Sequence, residues 1–228
     1  MVFSMDLEAI YFHGNPYRKR TYRPSPSNYA TKTIIQSLYK WLWVQYINME
    51  KTETAWNYPK ANQAAIEVLN KNGNAMDAAE AGCRVMESDE ENLYIGIGSL
   101  PDEDGKVTLD SCVMDHTGNC GSVAFLQNIK HPVSVARKVM EDTKHVMLVG
   151  EGARQFAISK GFQEMDLLTE DSRKAWEKWK IEKRDATPHE THDTISVLAQ
   201  DKMGDLAGAC TTSGWAYKLH GRVGDSPL

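Results

Sequence analysis

The stretch HETHDTISVLAQ places Asp193 and Thr194 directly ahead of an apolar, β-branched run. A threonine hydroxyl is a weak nucleophile at neutral pH and needs a base within hydrogen-bond reach. Opening the peptide bond between Asp193 and Thr194 would create one on the same residue. The new α-amine has an unperturbed pKa of about 7.7–8.0, close to the pH where general-base catalysis is efficient. The same hydroxyl could make the cut: Thr194 attacks the Asp193 carbonyl, and water then opens the ester. Asp193 is placed to manage the proton in that step, and the polar, breaker-rich stretch RDATPHET would let a new terminus move clear.

The residues that follow suit a small zwitterion. Arg222 offers a planar fork that matches a carboxylate in bidentate fashion. Asp225, three residues on, can hold an ammonium. Opposite charges at a fixed separation are what the α-carboxylate and α-amino groups of an amino acid require. Thr211, Thr212 and Ser213 end a strand that a hairpin would return beside Thr194, where a hydroxyl can orient the nucleophile. Each feature has an ordinary counterpart. A threonine that opens a strand is commonly only a strand residue, and an Arg-x-x-Asp pair is commonly a surface ion pair of little worth. The combination within one short region is more specific than any part of it.

The elements that must position these groups are legible along the chain. KANQAAIEVLNKNG has apolar residues at helical spacing and closes at Gly73, and NAMDAAEAGCRVMES repeats the pattern with Asn74 as its N-cap. Two strand-like runs follow, joined at Asp115–Asn119 as a hairpin. HPVSVARKVMED reads as a helix with Pro132 in its first turn, HVMLVG as a short, fully buried strand, and EGARQFAISKG as a helix closed by Gly161. EDSRKAWEKWKIEKRD reads as a charged helix capped by Thr169. TISVLAQ and DLAGACTT form a hairpin around Asp201–Gly204, with GWAYKLHG as a third strand. Helices and antiparallel hairpins in both halves predict an α+β fold with helices outside the sheets.

Bulk properties narrow the function. With 228 residues, 41% hydrophobic and 25% charged, the chain is long enough to bury a core and reads as soluble and globular. A net charge of −5 argues against nucleic acid, which wants a basic face. No apolar run is long enough to cross a bilayer, and no signal peptide is recognisable in MVFSMDLEAI. Cofactors are not expected. Cys83, Cys112, Cys120 and Cys210 form no C-x-x-C, which argues against a zinc site and for buried core thiols. Gly96-Ile97-Gly98 is followed by Pro101 where a dinucleotide motif needs glycine. Residues 1–51 form a basic, aromatic, turn-rich extension, expected to be a poorly ordered tail with one sticky segment.

HDTISVLAQ, GACTTSG and HGRVGDSP resemble the glycosylasparaginase (aspartylglucosaminidase) family of N-terminal nucleophile hydrolases. The likeness extends over about Thr54 to Leu228, through TAWNYPKANQAAIEVLNKNGNAMDAAEAG, IGSLPDEDGKVTLDSCVMD, GSVAFLQNIKHPVSVARKVME and HVMLVGEGARQFAISKGF. GRVGDSP is shared with isoaspartyl peptidases and plant-type asparaginases, whereas HDT and the tryptophan of AWNY point to the glycosylasparaginase branch. The resemblance implies a four-layer αββα sandwich built from two subunits of one precursor. Residues 52–193 then correspond to the first subunit and 194–228 to the start of the second. It implies hydrolysis of the bond between N-acetylglucosamine and the asparagine side chain, with no cofactor and no metal. Thr194 matches the nucleophile and Thr212 its supporting threonine. Arg222 and Asp225 match the holders of the substrate's α-carboxylate and α-amino groups. Trp56 matches a tryptophan beside the nucleophile, and His192 and Asp193 flank the cleaved bond. Family members are processed, assemble as oligomers, and work in lysosomes or the bacterial periplasm.

The chain departs from the family pattern in three ways. It stops at Leu228, whereas family members continue with a segment that carries a Thr-Gly pair for the oxyanion hole and several elements of the sandwich. The expectation is therefore a C-terminally truncated member with an incomplete sandwich. The first sheet strand is not recognisable in VQYINMEKTE, and Tyr58-Pro59 alters the surroundings of Trp56. Two other outcomes stay open: an isoaspartyl peptidase or asparaginase, and a non-catalytic fragment. Self-cleavage separates enzyme from fragment. It should release a 35-residue piece running from Thr194 to Leu228 on a denaturing gel, and Thr194→Ala should leave a single intact band. Identical patterns for both proteins would remove the nucleophile.

Overall fold

The computed structural model describes residues 45–48, 51–53, 58–182 and 194–228. One mixed sheet organises it. The strands are β1 (Gln45–Asn48), β2 (Lys51–Glu53), β3 (Leu109–Met114), β4 (Cys120–Leu126), β5 (Met147–Val149), β6 (Ile195–Gln200) and β7 (Leu206–Thr212), in the spatial order β2-β1-β6-β7-β3-β4-β5. The central pairs β6–β7, β7–β3 and β3–β4 are antiparallel, while β1 and β5 join in parallel at the flanks. This is the α+β arrangement that the order of elements predicts. VQYINMEKTE, in which no strand was legible, supplies β1 and β2.

Helices cover one face. α1 (Pro59–Asn70) starts at a proline whose missing N–H costs nothing at that position, and α2 (Ala75–Glu87) is capped by Asn74, whose side chain accepts the Asp77 N–H at 2.8 Å. Gly82 allows α2 to lie close to both neighbours. A Cβ there would stand 3.1 Å from the Ala61 carbonyl of α1 and 3.1 Å from Val197 of β6. Across the sheet, register aligns Val197, Ala209, Val113 and Gly121 in one row beneath α2 and α3 (Pro132–Asp142). The three side chains of that row are buried and form the core with Ala78, Ala79, Val135 and Val139. α4 (Gly150–Ser159) follows β5 directly, and α5 (Glu170–Glu182) begins at Thr169, whose hydroxyl meets Ser172 at 3.0 Å.

A buried carboxylate locks the helical layer to the sheet. Glu87, fully buried at the end of α2, accepts the Val133 N–H at 3.1 Å and the Thr211 hydroxyl at 2.8 Å. Its other oxygen meets His131 Nδ1 at 3.1 Å. One side chain thus satisfies an orphan donor in the first turn of α3 and fixes β7.

Two elements differ from the sequence reading. β5 is not fully buried: it is three residues long, pairs with β4 alone among the described residues, and leaves Val149 56% exposed. GWAYKLHG is not a strand. Its backbone bonds go to another loop (Tyr217 N–H to Pro101 O, Glu103 N–H to Lys218 O), and Tyr217 adopts φ +56. Buried thiols are where the sequence reading placed them for Cys83, Cys112 and Cys210, while Cys120 is half-buried.

β4 and α3 are in very close contact. A Cβ on Gly121 would fall 2.2 Å from the Ala136 carbonyl and 2.6 Å from the Met140 nitrogen, both backbone atoms that cannot step aside. Gly121→Ala should lower the free energy of unfolding by about 1–3 kcal/mol, as overpacking of cores does. Urea denaturation of the two proteins measures it, and an unchanged midpoint would mean that α3 is free to shift.

Candidate active site

The face of the sheet turned away from the helices carries the residues singled out from sequence. β6 and β7 are in antiparallel register with Ile195 opposite Thr211, so one further step sets Thr194 opposite Thr212. β3 and β7 are in register with Asp110 opposite Thr212. Directly opposed residues share a face, and neighbouring strands lie about 4.8 Å apart. Thr194, Thr212 and Asp110 therefore form a row across three strands at one end of the sheet. Thr194 is exposed, Thr212 is 2% exposed and Asp110 is fully buried. The same face continues inward through Ser196, Cys210, Cys112 and Ser122.

The segment after β7 folds over this row. Gly214 turns the chain at φ +74 and its N–H donates to the Thr212 hydroxyl at 3.0 Å. Ser213 donates its N–H and its hydroxyl to the Tyr94 carbonyl at 2.9 and 2.7 Å. Lys218, 6% exposed, donates its ammonium to the Ser213 carbonyl at 2.7 Å. His220 Nδ1 lies 2.7 Å from the buried Asp102 carboxylate, whose other oxygen accepts the Asp104 and Lys106 N–H groups. The Arg222 guanidinium sits over the Trp215 ring at 4.2 Å, a cation–π contact that holds its plane. Tyr217 stacks on Trp179 of α5 with ring centres 4.6 Å apart.

Charge is concentrated where water is scarce. Burial pushes the Asp110 carboxyl above its usual range, against the pull of Lys218, the Phe125 N–H, Arg222 and the Gly224 N–H. Burial likewise pulls the Lys218 ammonium down, opposed by Asp110 and reinforced by Arg222. A Cβ on Gly214 would stand 2.9 Å from Lys218 Nζ and 3.0 Å from an Arg222 nitrogen, so both cations converge on one glycine.

Four of the residues singled out from sequence come together. Arg222 lies against Gly214, whose N–H bonds Thr212, and lies within electrostatic reach of Asp110, which stands opposite Thr212. Asp225 lies within electrostatic reach of the Cys210 thiol, and Cys210 precedes Thr212 by two positions on the same face of β7. Trp56, His192 and Asp193 lie outside the described residues. Asp110, Asp102, Lys218 and His220 were missed. The available signal was an acid in the strand-like run LDSCVM, a charge at a position that alternation would bury. A cavity of about 510 Å³ bounded by Gly105, Gln127, Glu164 and Arg173 contains no member of the row.

Together the fold and this site define an α+β protein with a threonine row at one end of its sheet and a cationic loop above it. Residues 34–228 match the family Asparaginase_2, described as asparaginase. The chain belongs to this family. It is 52% identical over 178 residues to an N(4)-(β-N-acetylglucosaminyl)-L-asparaginase of Elizabethkingia miricola, a match that takes in 77% of this chain and 52% of the relative. A mouse protein of the same name is 35% identical over 207 residues, 76% of this chain and 60% of its own. A plant-type L-asparaginase of Pyrococcus furiosus is 40% identical over 174 residues, 69% of this chain and 56% of its own. The matched part is thus between half and two thirds of each relative's length. No helix of the described residues is long and apolar enough to cross a membrane.

The buried ammonium gives a measurable pH effect. Since the folded state binds the Lys218 proton less tightly than the unfolded chain, whose value is 10.5, the burial penalty is fully present below the folded-state pKa. It is relieved as pH rises from there to 10.5. Wild type should gain stability relative to Lys218→Met across that window, by at most about 1.4 kcal/mol per pH unit. Chemical denaturation at stepped pH measures the difference, and parallel curves would show that the lysine titrates normally.

Proposed function

We propose that this chain is an N-terminal-threonine amidohydrolase that cleaves N4-(β-N-acetylglucosaminyl)-L-asparagine after the Asp193–Thr194 bond opens. The observation that carries this reading is the row Thr194–Thr212–Asp110 with Arg222 against Gly214, whose N–H bonds Thr212. The names of the bacterial and mouse relatives support the substrate. In this reading Thr194 Oγ attacks the side-chain carboxamide carbon of the substrate while the Thr194 α-amine takes its proton. The C–N bond breaks, the glycosylamine departs with that proton, and a β-aspartyl ester remains on Thr194. Water, deprotonated by the same amine, opens the ester and releases aspartate. Thr212 orients the nucleophile. Arg222 holds the α-carboxylate as a fork, and Asp225 holds the α-ammonium. Trp56 flanks the nucleophile, and His192 and Asp193 flank the processed bond.

The wider reading follows from the family. Residues 52–193 and 194–228 form parts of the two processed subunits, residues 1–51 form an extension whose end supplies β1 to the sheet, and the described sheet is one of the two in a four-layer αββα sandwich. The processed protein assembles as an oligomer and works in a lysosome or a periplasm. No metal and no other cofactor takes part in the reaction.

A second reading is favoured by the 40% identity to a plant-type L-asparaginase: the same machinery acting on asparagine or β-aspartyl dipeptides. Comparing kcat/KM for glycosylasparagine, a β-aspartyl dipeptide and asparagine decides between them. A preference of at least tenfold for glycosylasparagine is expected, and the reverse order would assign the second reading. Arg222→Lys keeps the charge but loses the fork, and should raise KM for glycosylasparagine at least tenfold, about 1.4 kcal/mol of binding.

A further inference from the structure

Beyond the residues with assigned roles, the geometry points to Asp110 as the positioning residue that holds the Arg222 loop in register with the nucleophile row. This rests on the amidohydrolase reading for its assay, but its basis is structural. Asp110 sits where β3 and β4 change register: Leu109 faces Leu126, Ser111 faces Val123, and two residues of β4 oppose Asp110 alone. One of them is Phe125, whose backbone lies in the left-handed region at φ +54. That conformation is uncommon for a bulky residue, and bulges of this kind re-aim side chains near active sites. The Asp110 carboxylate accepts the Phe125 N–H at 2.8 Å and so secures the bulge.

The bulge carries the grip outward. The Phe125 ring meets the His220 ring edge-on, with centres 4.9 Å apart, and His220 is held from its other side by Asp102. The Gly224 N–H is among the groups that pull the Asp110 carboxyl down against its burial. Asp110 therefore acts on the loop two residues before Arg222, through Phe125 and His220. Lys218 and Arg222 are its cationic neighbours. On the sheet side it stands directly opposite Thr212. Its Oδ2 is buried and makes no hydrogen bond among the described residues, so the charged neighbours are what balance it. A buried acid used only for strand packing would be costly and replaceable by an apolar side chain. Asp110 instead joins three parts of the site: the Thr212 strand, the bulge and the substrate loop.

The test uses Asp110→Ala and Asp110→Asn in the processed protein, with KM and kcat for glycosylasparagine and calorimetric titration of L-aspartate. Asn keeps an acceptor for Phe125 but loses the charge. Both variants should raise KM at least tenfold with kcat within threefold of wild type, Ala more than Asn, and L-aspartate binding should weaken by the same factor. A folded variant with KM and aspartate affinity within twofold of wild type would overturn the assignment. So would a loss confined to kcat, which would place the effect on chemistry. If Ala does not fold, the Asn variant decides. If wild type does not hydrolyse glycosylasparagine, that reading fails separately, and aspartate affinity alone judges Asp110.

Discussion

Strand register is the constraint on which the rest of the molecule depends. The β6–β7 and β7–β3 ladders place Thr194, Thr212 and Asp110 in one row. A slip of one residue in either ladder would turn part of that row to the opposite face. The other face of the same strands carries Val197, Ala209 and Val113, which are buried under α2 and α3. The apolar side therefore enforces the register that the polar side uses. Gly82 and Gly121 matter for the same reason: each lets a helix press on the row that fixes the alignment. Packing on one side of the sheet is in this sense the positioning device for the polar row on the other.

The loop after β7 is fixed by another kind of force. It has no ladder of its own, and its ordering depends on carboxylates and carbonyls supplied by residues 94–110. Asp102 takes His220, Tyr94 takes Ser213, Pro101 takes Tyr217, and Asp110 acts electrostatically on Lys218 and Arg222. Burying this many charged groups is unfavourable unless each finds a counterpart. Where the counterparts are present, the arrangement is stiff, since every bond lost inside a low-dielectric site exposes an unsatisfied group. The Arg222 fork shares in that stiffness, and the Trp215 ring beneath it adds to it.

Helices and hairpins were legible in the sequence because their signals are local. Asn74 caps its helix, Pro132 opens another, and the hairpins at Asp115–Asn119 and Asp201–Gly204 turn where glycine and the Asx residues indicate. Thr194, Thr212, Arg222 and Asp225 could be named because they fall within a short stretch of chain. Asp110 and Asp102 could not, because their meaning is set by partners 114 and 118 positions away, Gly224 and His220. GWAYKLHG misled for the same reason. Its alternation resembles a strand, but a distant loop takes its backbone groups. β1 was missed because a four-residue parallel flank has too few residues for a pattern to emerge.

The left-handed Phe125 shows how these levels meet. Taken alone, its backbone at φ +54 is a local cost, of order 1–3 kcal/mol for residues held in sparsely populated regions. Such a conformation persists only where the surroundings over-determine it. Here a buried carboxylate takes its N–H and a histidine, itself held by a second carboxylate, packs on its ring. Relaxing the bulge to regular pairing would restore one ladder step between β3 and β4. It would also withdraw the contact that steadies the loop beside Arg222. The bulge is thus stable because the loop is folded over it, and the loop is ordered because the bulge is there. That reciprocity is why strained backbone marks this end of the sheet.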